Sequence, residues 1–86
     1  MRCVIIDCTN ISTREALCDA IAKHLKTPVW FGRNLDALHD CLCTLSGTLR
    51  LEHWAEAETA LGKYGTAARR AIAAAGLENT KLDIIF

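Results

Sequence analysis

Four side chains able to do chemistry fall close together in the middle of the chain: Asp36, His39, Asp40 and Cys43. At about 100° per residue they gather on one side of a helix, while Leu35, Leu38, Cys41, Leu42 and Leu45 share the other. Asp36 and Asp40 are then neighbours one turn apart, both anionic at neutral pH. A like-charged pair at that spacing costs an isolated helix a few tenths of a kcal/mol. A local rule broken on a solvent-facing side points to something outside the chain that wants two negative charges there. The same face could instead present metal ligands, since His, Cys and Asp are all donors. One helix supplies few ligands to one ion, however, and zinc sites usually draw on separate segments. A His39–Cys43 nucleophile pair lacks an identifiable oxyanion donor and third member. The expectation is a protein without catalytic residues, metal or cofactor. A small metal-binding or redox module using Asp36, His39, Asp40 and Cys43 is the alternative.

The wider run from Trp30 to Leu42 carries more information. Two aromatics, Trp30 and Phe31, precede Gly32-x-Asn34-Leu35-Asp36-Ala37-Leu38-x-Asp40-Cys41-Leu42. This segment resembles the barstar family of microbial ribonuclease inhibitors. Beyond it the chain fits that family in length and order of elements. The resemblance implies that the helix and the loop before it plug a ribonuclease active site. Its carboxylates would stand where substrate phosphates meet the enzyme's cations. It assigns partner contacts to Trp30, Gly32, Asn34, Asp36, His39 and Asp40. Asp40 would accept charge-assisted hydrogen bonds in a desolvated centre, and Asp36 would add negative potential nearby. Trp30 has the wide flat ring of an interface anchor, whereas Phe31 suits core packing. Gly32 would bring backbone close to the enzyme, or simply supply a positive φ. Asn34 also suits a helix N-cap.

Three features depart from the best-known members of that family. They carry a large aromatic where this chain has His39, which is smaller and chargeable below neutral pH. Arg33 puts a cation where an acidic inhibitor would have none. The fourth helix, which adds acids to the interface in the best-known inhibitors, here reads Arg69-Arg70-Ala71-Ile72-Ala73-Ala74-Ala75, with Glu78 the only nearby acid. Either this helix leaves the interface or the partner carries complementary acids. A barstar-like interaction domain with a partner other than a ribonuclease is a further alternative.

The bulk properties constrain both readings. With 86 residues, 51% hydrophobic and 23% charged, the chain is expected to form one globular domain spanning 1–86 with little slack in its core. Ten basic and ten acidic residues give a formal net charge of zero, so nothing calls for direct binding to nucleic acid. An inhibitor of a basic enzyme would steer its partner with a local acidic patch alone. No apolar run approaches a membrane span. Met1 and Arg2 lead into only a short apolar stretch, so no secretory signal is expected. Five cysteines in such a chain suggest reduced thiols in the bacterial cytoplasm. The free protein is expected to be a monomer. By helix side, Cys41 should be buried and Cys43 accessible.

The elements that must position these residues follow from local signals. Cys3–Ile6 reads as a buried strand. Ser12 and Glu15 have capping-box spacing before a helix carrying Leu17, Ile21 and Leu25, which must end by Thr27 because Pro28 follows. A second helix is expected over 34–45, broken by Ser46-Gly47. Thr48–His53 alternates as a second strand. Trp54–Tyr64 reads as helical with Gly62 and Gly65 near its end. Thr66 is expected to cap a fourth, alanine-rich helix that Gly76 closes, with Ala68, Ala71, Ile72 and Ala75 on its apolar side. Leu82–Phe86 is the last strand. Three strands separated by helices predict an α/β fold: a three-stranded parallel sheet flanked by about four helices.

Overall fold

A computed structural model describes residues 3–25 and 35–86. The order is β1 (Cys3–Asp7), α1 (Arg14–Leu25), α2 (Leu35–Leu42), β2 (Gly47–Glu52), α3 (Trp54–Leu61), α4 (Lys63–Glu78) and β3 (Leu82–Ile85). The strands form one parallel sheet in the order β1-β2-β3. Ile6 pairs with Leu51, and Leu49 lies between Val4 and Ile84. The predicted fold class is correct.

One expectation about the sheet needs revision. Successive residues point to opposite faces, and burial alternates accordingly. Ile6, Leu49, Leu51 and Leu82 are buried. Ile5 and Ile85 remain 49% and 46% exposed, and Arg50 between them in register is exposed. The strands are thus one-sided, and β1 is not the doubly buried strand its apolar run suggested.

Helix boundaries shift for identifiable reasons. Thr13, not Ser12, caps α1: its hydroxyl accepts the Ala16 N–H at 3.1 Å, the geometry of an N-cap bond to the third helical residue. Helix α1 ends at Leu25. Gly62, at φ 64°, separates α3 from α4, so α4 starts at Lys63 and Thr66 lies inside it. Gly65 is also internal. A Cβ there would stand 2.6 Å from the Glu58 carbonyl oxygen, so this glycine allows α3 and α4 to meet at the backbone. Gly76 does not close α4 either. The helix continues to Glu78, and at Gly76 the side chain of Ile84 fills the space a Cβ would need.

The core joins the covered sheet face to all four helices through Leu17, Ile21, Leu38, Leu42, Trp54, Ala57, Ala68, Ile72 and Ala75. Ala71, expected on the apolar side of α4, is half-buried. Helix α4 packs most extensively against α2, which decides the environment of the chemistry-bearing residues.

Candidate functional site

Helix α2 buries Leu38 and Leu42 and half-buries Leu35 and Cys41 against the core, and Leu45 just past its end is half-buried too. This is the apolar side read from the sequence. The opposite side divides in two. Asp36 and Asp40 face solvent, and the Asp40 side chain is 84% exposed. Among the described residues Asp36 makes no ion pair. His39 and Cys43 turn toward α4 and are half-buried. The expected contrast between a buried Cys41 and an accessible Cys43 is therefore wrong. Both thiols are half-buried, because α4 covers the flank of α2 that a lone helix would leave open.

Residue Glu78, the last of α4, meets this flank. The His39 Nε2 hydrogen-bonds the Glu78 carboxylate, and Nδ1 lies 3.7 Å from Asp40 Oδ1. The hydrogen bond to Glu78 raises the imidazole pKa above its ordinary value. Desolvation opposes that rise, and the Glu78 and Asp40 charges reinforce it. Cys43 Sγ sits 3.9 Å from both ring nitrogens. Desolvation, then the Glu78 and Asp40 charges, push its thiol pKa up.

Asn79 fixes the two helices to each other. Its Nδ2 donates to the Leu42 carbonyl at 3.0 Å and to the Leu45 carbonyl at 2.6 Å. Its Oδ1 accepts the Lys81 N–H at 3.1 Å, just before β3. One amide thereby shares the Leu42 carbonyl with the Leu45 N–H, which reaches it at 3.2 Å, and adds a bond to the Leu45 carbonyl just past the helix. The Thr44 hydroxyl donates to the Cys41 carbonyl at 2.7 Å. The acidic pair thus rides on a short helix whose C-terminal end is tied from behind.

The structure places Asp36, His39 and Asp40 on α2 as expected, but only Asp36 and Asp40 share the open side. Trp30, Phe31, Gly32, Arg33 and Asn34 lie outside the described residues. The face considered for a metal is corrected as well: the donor atoms that come together are those of His39, Cys43 and Glu78, without Asp36 or Asp40. Glu78 and Asn79 escaped sequence reasoning because they stand 39 and 37 positions from their partners His39 and Leu42, and no local pattern reports such a pairing. Arg69 does not join the acidic face. Its Nε pairs with Glu58 on α3 at 3.2 Å.

The family model described as Barstar (barnase inhibitor) matches residues 1–84. A protein of Bacillus subtilis (strain 168), named "Putative ribonuclease inhibitor YrdF", is 42% identical over 67 residues, covering 74% of each chain. The chain belongs to the barstar family. Its three-stranded parallel sheet and four helices agree with a barstar-like fold. Membership extends the resemblance of the α2 segment across nearly the whole barstar-like chain. Among its described residues no helix is long and apolar enough to cross a membrane.

Proposed function

We propose that this protein inhibits a microbial ribonuclease, or confers immunity to a ribonuclease toxin, by laying α2 and the segment before it into the enzyme's active site. The observation that supports this most is the Asp36/Asp40 pair. It lies open on a helix whose other sides are engaged by the core and by α4. Two carboxylates one turn apart present charge where a phosphate-binding site presents cations. Trp30, Gly32 and Asn34 supply the flanking contacts, and His39 adds the edge of its ring, with 27% of the side chain exposed. Inhibition is steric and electrostatic, without chemistry on the RNA. The protein acts in the cytoplasm as a single domain, monomeric until it meets its target.

Family membership and a relative named as a ribonuclease inhibitor both support this reading. The test is titration of purified protein against a panel of microbial ribonucleases, reading RNA cleavage. Stoichiometric loss of activity is expected for at least one enzyme, together with an isolable one-to-one complex. Full activity of every enzyme at excess protein would reject the proposal.

A further inference from the structure

Three donor groups of different chemistry meet where the ends of α2 and α4 converge. His39 lies on α2, Cys43 follows one turn later just past its end, and Glu78 arrives from α4. One imidazole nitrogen, the Cys43 sulfur and one Glu78 oxygen all lie within 4.8 Å of one another. In a tetrahedral zinc site, bond lengths of about 2.0–2.3 Å hold ligand atoms roughly 3.3–3.7 Å apart. The Glu78 side chain is 62% exposed, so it has room to turn toward that spacing. The requirement that a single helix fails to meet, ligands from separate segments, is met here.

We propose that His39, Cys43 and Glu78 form a binding site for a thiophilic divalent cation, best matched by Zn²⁺. The donor set decides the metal class: thiolate and imidazole favour zinc and its neighbours over magnesium or calcium. Thiolate and carboxylate together carry two negative charges, which neutralise the dication. Coordination forms metal–sulfur, metal–nitrogen and metal–oxygen bonds and releases to solvent the thiol proton and the proton shared between His39 Nε2 and Glu78.

Three observations beyond the ligands support the site. Asn79 ties the end of α4 to the Leu42 and Leu45 carbonyls, so the two helix ends are held together before any ion arrives. The second ring nitrogen of His39 lies 3.7 Å from the Asp40 carboxylate, close to the arrangement in which a carboxylate orients a metal-bound imidazole. A surface hollow of about 420 Å³, lined in part by Cys43, Ser46, Glu78 and Lys81, opens beside the donors. It leaves room for water as a fourth ligand, the pattern of an open rather than a closed zinc site.

The test uses the full chain, reduced and stripped with a chelator, titrated with Zn²⁺ by calorimetry and with Co²⁺ by absorption. One equivalent should bind, with a thiolate-to-cobalt charge-transfer band and the visible bands of tetrahedral cobalt. Zn²⁺ should raise the melting temperature and displace the cobalt. Cys43→Ser should abolish the charge-transfer band. Glu78→Gln should weaken Zn²⁺ binding by at least ~100-fold, since losses outside the coordination shell already reach ~10–100-fold. Cys3→Ser, remote on β1, should leave both signals intact. His39→Gln provides a second removal, with circular dichroism reporting folding, should Cys43→Ser fail to fold. A charge-transfer band that survives Cys43→Ser, disappears in Cys3→Ser, or never forms in wild type overturns the proposal. No ribonuclease enters these measurements, so their failure and failure of the inhibitor reading are separate results.

Discussion

Helix α3 and helix α2 both carry carboxylates at their surfaces, and the fold treats them in opposite ways. Glu58 on α3 accepts the Trp54 indole N–H at 2.8 Å and pairs with Arg69 at 3.2 Å. Both contacts fall on one oxygen, Oε1, and serve the α3–α4 corner, and the side chain is 27% exposed. Asp36 and Asp40 on α2 repel each other, and Asp40 is exposed to 84%, with the His39 imidazole Nδ1 3.7 Å away. A carboxylate whose hydrogen bonds close inside the molecule contributes to stability. One held in water beside a like charge contributes little to folding and keeps its acceptors for a partner. Glu78 stands between the two cases, bonded to His39 yet largely exposed.

The sharpest break in this comparison is a substitution at each end of it. Asp40→Ala is expected to weaken ribonuclease binding by about 2–5 kcal/mol or more, because the partner's cations would be buried unpaired. Asp36→Ala should weaken it less, since Asp36 also favours the helix N-terminus. Asp40→Ala should leave the melting temperature nearly unchanged, whereas Asp36→Ala should lower it slightly. Inhibition titrations beside thermal melts check both. Wild-type inhibition by Asp40→Ala would remove phosphate mimicry from the mechanism.

Asn79→Ala tests whether the mounting of α2 matters. It removes two hydrogen bonds to helix-end carbonyls and should cost about 2–3 kcal/mol in denaturant unfolding. Ribonuclease binding should fall too, although Asn79 sits behind the acidic face. Loss of stability without loss of affinity would show that the acidic pair needs no fixed helix end.

The opposite corner should respond in the reverse sense. Glu58→Ala leaves the Trp54 N–H, on a side chain only 3% exposed, without its partner. An expected loss of about 1–3 kcal/mol should appear in urea unfolding, with ribonuclease affinity unchanged. Most of that loss belongs to the indole bond, because the half-exposed Arg69 pair is worth little by itself. A double-mutant cycle with Arg69→Ala separates the two.

The smallest effect concerns Asp7, another carboxylate used internally. The hydroxyl and N–H of Thr9 hold its carboxyl below the usual carboxylate pKa, with the hydroxyl the larger cause. Such a group adds stability above its unfolded pKa and loses it as pH falls through the lower folded value. Asp7→Asn should therefore flatten the acid limb of the stability curve slightly while leaving inhibition at neutral pH intact. Association with the ribonuclease, by contrast, should slow with added salt, since the acidic pair acts through solvent. The slope should be shallow for a chain of zero formal net charge.

Much of this was legible along the chain. The period of Leu35, Leu38, Cys41, Leu42 and Leu45 gave the buried side of α2, and that of Asp36 and Asp40 its open side, because a helix converts spacing directly into facing. The three strands and their parallel pairing followed from apolar runs separated by helical stretches. What periodicity does not carry is the identity of the neighbour. His39 and Cys43 have the spacing of a solvent face, and only the packing of α4 makes them an inner flank. Gly65 and Gly76 look like helix ends in one dimension, yet each removes a side chain where another element approaches. Glu78 and Asn79 meet α2 from more than thirty positions away. Side chains that join distant segments obey the geometry of the finished fold, so the acidic face was determined by sequence and the cluster beside it by tertiary structure.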